Sequence, residues 1–146
     1  MKAILAVALW SLTALVWAAT PAQEKQFVDG YKKAFETKDV KTLHSMIYTQ
    51  GADPMALAFY KDMMAAEAGA QVTSIQLVDL TAKDRTDAEN MTSPDGKKMK
   101  LVLPPTKKLV IKSQTKDKNG SSSGTSQMFV AEQQGKLYVL VPAAAK

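Results

Sequence analysis

The sequence predicts an α+β domain in which N-terminal helices pack on a curved antiparallel sheet. Three observations lead there. Apolar residues recur at helical spacing between Phe27 and Tyr48 and crowd a third helical stretch after Pro54. From Val72 onward they alternate, as strands do. Turn residues then divide the second half into strands joined mostly as hairpins, which is the α+β pattern.

Pro21 suits the first turn of a helix over about 22–37, in which Phe27, Tyr31, Ala34 and Phe35 share one face. Thr37-Lys38-Asp39 interrupts the pattern. Asp39 is a good N-cap for a second helix, Val40 to Tyr48, whose stripe is Val40, Leu43, Met46 and Ile47. Asp53 as N-cap and Pro54 at the first helical position open a third helix, stopped near Gly69. Met55, Leu57, Phe59, Tyr60, Met63 and Met64 leave it apolar almost all round, which predicts burial on more than one side. Val72 to Leu80 reads as a strand, and 81–96 as a long polar loop, locally helical in part. Strands follow around Met99–Leu103, Lys108–Lys112, Gln127–Glu132 and Lys136–Val141, with Lys116–Thr125 as a Gly/Ser-rich loop tip and Gln133-Gln134-Gly135 as a hairpin turn. All are expected in one sheet, one face on the helices and the other carrying lysines.

The N-terminus is read as a segment apart. Lys2 precedes an apolar run of about 15 residues, short for a membrane span and right for a signal peptide. Small residues Val16 and Ala18 place cleavage after Ala18, giving a signal peptide at 1–18 and a single domain at 19–146. The alternative is an uncleaved anchor. The segment has a bacterial style, so the domain is expected in the periplasm or secreted. The chain has no cysteine, which excludes disulfides, thiolate metal sites, a cysteine nucleophile and a lipid-modified cysteine anchor.

Charge is unevenly divided. Residues 19–96 carry 8 basic and 12 acidic side chains, whereas 97–146 carry 10 lysines and 2 acids. Lys97, Lys98, Lys100, Lys107, Lys108 and Lys112 are therefore candidates for binding a polyanion or membrane surface. The competing reading is a solvated sheet face whose lysines discourage edge pairing. Lysine is a point charge without a bidentate fork, and few aromatics stand nearby to stack bases, so no specific nucleic acid is expected.

Chemistry-bearing motifs are sparse. His44, the only histidine, flanks an apolar stripe and suits a structural position better than a general base. No His/Asp/Glu cluster has metal spacing, and no glycine-rich loop joins a strand to a helix, so neither metal nor nucleotide cofactor is expected. Tyr31, Tyr48, Phe59, Tyr60 and Met63 are candidates to line an apolar pocket between helices and sheet; ordinary core packing is the alternative for each.

The segment from Phe27 through Thr37-Lys38-Asp39-Val40 to Tyr48 resembles the nuclear-transport-factor-2-like superfamily, the cone-shaped fold of ketosteroid isomerases and small polyketide cyclases. FVAEQQGKLYVLVP is similar to that superfamily's final hairpin. The resemblance implies a tyrosine in an oxyanion hole, matched by Tyr31, and an aspartate base after the second helix, for which Asp53 is the nearby match. Asp53 before Pro54 is also explained as a helix cap; after Gly96 the only acids are Asp117, placed in a loop, and Glu132, so no desolvated aspartate supplies the second donor. The resemblance further implies homodimers through the open sheet face, against which surface lysines count. Three functions follow: non-enzymatic binding of a small apolar ligand or a protein partner; an isomerase, dehydratase or cyclase using Tyr31 with His44 or Asp53; and polyanion or membrane-surface binding.

Overall fold

Three N-terminal helices lie on one face of an antiparallel sheet in the computed structural model, which describes residues 18–145. The elements are α1 (Pro21–Glu36), α2 (Val40–Ser45), α3 (Pro54–Glu67), β1 (Gln71–Asp79), α4 (Ala82–Glu89), β2 (Met99–Leu101), β3 (Lys107–Asp117), β4 (Gly120–Gln133), β5 (Lys136–Val139) and β6 (Pro142–Ala144). The signal peptide read from the sequence falls outside the described residues except for Ala18.

Each helix begins where a side chain satisfies free backbone N–H groups. Thr20 and Gln23 form a reciprocal capping box, and Gln23 Nε2 reaches on to donate to the Gly135 carbonyl at 2.8 Å. Asp39 accepts from the Thr42 backbone at 3.1 Å and its hydroxyl at 2.6 Å. Asp53 Oδ1 accepts from Met55 and Ala56 N–H at 3.0 and 2.9 Å. α2 stops at Ser45, three residues short of the expected end at Tyr48. The sheet claims its last groups: Val139 N–H donates to the Met46 carbonyl and Tyr48 N–H to the Val139 carbonyl. A sheet bond replaces a helical one there, so the helix cannot continue.

The four-stranded sheet runs β1-β3-β4-β5. Ile75, Leu77, Leu109, Ile111, Met128, Val130, Leu137 and Val139 fall on one face by register and alternation. Against them pack Phe27, Tyr31 and Phe35 of α1, Leu43 of α2 and Met64 of α3. The opposite face is covered only at one end. There Lys108 bonds Asp84 of α4 at 2.6 Å, and Leu80, Ala88, Met99 and Leu140 are buried outside the main core.

Three expectations need correction. The strands form two sheets: β2 pairs with β6, a short strand at Pro142–Ala144 that no alternation announces. Pro104 and Pro105 separate β2 from β3, and proline supplies no N–H to continue a ladder. The stretch Lys116–Thr125 is no loop tip. β3 and β4 stay paired to Asp117–Gly120 around a two-residue turn at Lys118-Asn119, where Asn119 N–H donates to Asp117 Oδ1 and Gly120 takes φ +138°. Backbone pairing suffices there without an apolar pattern. The local helix expected in the polar stretch after Leu80 is α4, opened by a capping box between Thr81 and Asp84. Finally, α3 is a surface helix: Met64 is buried, but Met55 is 83% and Phe59 65% exposed. One side of α3 meets α2, β6 and the core, and the side carrying Met55 and Phe59 is left in solvent.

Candidate functional site

The residues singled out from sequence do not converge. Tyr31 is sealed in the core, stacked on Phe35 with ring centroids 6.2 Å apart. Burial, and secondarily the negative Glu67, pushes its hydroxyl well above the ordinary tyrosine range. Glu67 accepts from Ser126 Oγ of β4 at 2.7 Å. This Glu67–Ser126 pair is a polar feature that no sequence pattern marked, because one partner ends a helix and the other sits mid-strand. His44 Nε2 lies 3.1 Å from the Lys61 carbonyl. A carbonyl only accepts, so Nε2 carries the proton and the ring ties α2 to α3. Asp53 caps α3 as described. Among the described residues Tyr31, His44 and Asp53 share no hydrogen bond.

The five aromatic and methionine candidates divide as well. Tyr31, Tyr60 and Met63 pack on or against the main core, and burial raises the Tyr60 hydroxyl's pKa. Tyr48 instead meets Tyr138 edge-on at 5.6 Å and donates to Gln50 at 3.0 Å. Phe59 faces solvent.

The six lysines fall into two groups. Lys97 pairs with Asp95 at 2.7 Å, Lys107 with Asp79 at 2.7 Å and Glu24 at 3.6 Å, and Lys108 with Asp84. That last carboxylate is held down at about 2, chiefly by the Lys108 ammonium and then by the Thr81 N–H and hydroxyl. Lys98, Lys100 and Lys112 are exposed and have no carboxylate partner among the described residues.

A cleft of about 480 Å³ opens between α4 and the segment from β2 to Pro105. Leu80, Ala88, Leu101, Leu103, Pro104 and Pro105 give it an apolar lining. Arg85, Lys100 and Glu89 complete it. Arg85, the only arginine of the chain, is exposed and, like Lys100, has no carboxylate partner among the described residues. α4 creates this cleft by turning its 85–88–89 side towards β2. Because the segment looks like a polar loop, the Thr81…Asp84 capping box was the one signal of the helix. Among the described residues no group of three or more His, Cys, Asp or Glu is placed to hold a metal ion, and no helix is long and apolar enough to cross a membrane.

No protein-family model matches the chain, and no curated protein matches it. Among solved structures it overlaps the helical cell shape determining protein Pgp2 from Campylobacter jejuni, with a TM-score of 0.40 and 13% identity, over 78% of this chain and 37% of that one. The chain thus spans little more than a third of that protein, and no function passes from it. The architecture agrees with the order of elements in the superfamily that the sequence resembles: N-terminal helices, then an antiparallel sheet.

Proposed function

We propose that the chain is a non-catalytic binding domain whose ligand is a small carboxylate with an apolar body, taken in the cleft between α4 and β2. One observation carries the reading: two cations without carboxylate partners, Arg85 and Lys100, border an apolar cleft of about 480 Å³. Volumes of roughly 300–1,000 Å³ lined by apolar groups with a few polar ones are typical of small-molecule sites. An arginine fork matches a carboxylate bidentately, whereas lysine adds a point charge. Glu89 on the same rim disfavours a second negative group on the ligand. The scatter of Tyr31, His44 and Asp53 supports binding over catalysis. With the signal peptide read from the sequence, the domain works in the periplasm or outside the cell.

Decanoate and decanol make the test, since they share an apolar body and differ in charge. Titration calorimetry should show decanoate binding at least about tenfold more tightly, a preference that Arg85→Ala removes. Equal affinity for both, or unchanged decanoate binding in Arg85→Ala and Lys100→Ala alike, refutes the reading.

A further inference from the structure

The outer face of the sheet beyond α4 is a second, separate surface. By register, Lys112 stands beside Thr125, Gln114 beside Ser123 and Lys116 beside Ser121. Alternation puts all six on the face opposite the helices. Beyond Gln114 the ribbon has no β1 partner, and β5 joins β4 only from Val130. The ribbon therefore projects with both edges open, and every residue from Thr115 to Thr125 is exposed. Lys112 and Lys116 have no carboxylate partner among the described residues, whereas Asp117 alternates to the other face and is engaged by Asn119.

We infer that this ribbon face is a platform for a linear acidic polysaccharide bearing carboxylates. Four residues along a strand separate Lys112 and Lys116 by about 13 Å, a spacing that suits an extended chain with charges set apart. Between and beside them stand one amide and three hydroxyls, donors and acceptors that match sugar hydroxyls. Nucleic acid is disfavoured because the face has no aromatic to stack a base and no arginine. A membrane surface is disfavoured because the ribbon offers no apolar side chain to insert. The surface differs from the lysine set read from sequence: Lys112 belongs to both, but Lys116 lies in the stretch taken for a loop.

Affinity electrophoresis of the purified protein through gels containing polygalacturonate tests the assignment, with neutral dextran, polyglutamate and single-stranded DNA as comparisons. Polygalacturonate should retard the protein, and Lys112→Gln/Lys116→Gln should weaken that binding about tenfold. Gln114→Ala/Ser123→Ala, which leaves the charge intact, should weaken it too. The control Lys33→Gln/Lys41→Gln removes the same charge from two exposed helical lysines and should change it little. An equal loss in that control, equal binding of polyglutamate, or tighter binding of DNA would each overturn the inference, because charge alone or another polymer would then explain the retardation. These outcomes are read independently of decanoate binding in the cleft.

Discussion

The two halves of the β3–β4 hairpin share a backbone ladder and little else. Nearer the helices, Leu109, Ile111, Met128 and Val130 are each at most 3% exposed and close the main core. Farther out, Lys112 to Thr125 is almost wholly exposed, yet the pairing continues without a slip to Asp117–Gly120. Burial stabilises the first half; pairing and the turn alone hold the second. A strand can therefore extend well past the apolar pattern that announces it, once its register has been set by a buried segment. The outer half is then free to carry polar side chains at fixed spacing.

Breaking the buried half should have the largest effect. Leu109→Ala removes a fully buried side chain from the sheet centre and should cost about 2–5 kcal/mol in denaturant unfolding. A loss below about 1 kcal/mol would mean that the core does not govern this hairpin.

Next comes the ion pair on the opposite face. Asp84 titrates at about 2, below its ordinary 3.8, so its stabilisation is complete above about pH 4 and lost as the pH falls towards 2. Thermal melts should show Asp84→Asn less stable than the parent at neutral pH, with the gap closing between about pH 4 and 2. A constant gap across that range would separate Asp84 from the acid sensitivity of the fold.

The turn that closes the ribbon should matter less. Gly120 sits at φ +138° with open space where a Cβ would go, so Gly120→Ala meets only conformational strain, about 1–3 kcal/mol. Ser122→Ala, on the exposed ribbon, should stay within about 0.5 kcal/mol. Amide exchange sharpens the same contrast: Thr115 to Ser123 should exchange far faster than Leu109 to Ile111. Comparable protection along the whole hairpin would show that the ribbon is covered by something.

Local chemistry explains which parts of the fold were legible. Asp39 and Asp53 announce their helices because a carboxylate beside free N–H groups acts within one turn of chain. The apolar stripe of α1 and the alternation of β1 are visible because their periods match the geometry they produce. α4 was less visible, since its helix has almost no apolar face and depends on a cap and the contact of Asp84 with Lys108. The apolar circumference of α3 misled for the opposite reason: composition reports what a helix can bury, and only its neighbours decide what it does bury.

The order of α1 to α3 and then β1 to β5, the caps of α2 and α3, and the alternation of the core strands can all be read from the sequence, because each depends on neighbours within a few positions. The rest comes from the tertiary fold. It paired β2 with β6, set Arg85 and Lys100 around one cleft, and aligned Lys112 and Lys116 on a projecting ribbon. Those placements join residues far apart in the chain, so they depend on long-range register and on which surface is left uncovered once the core has closed.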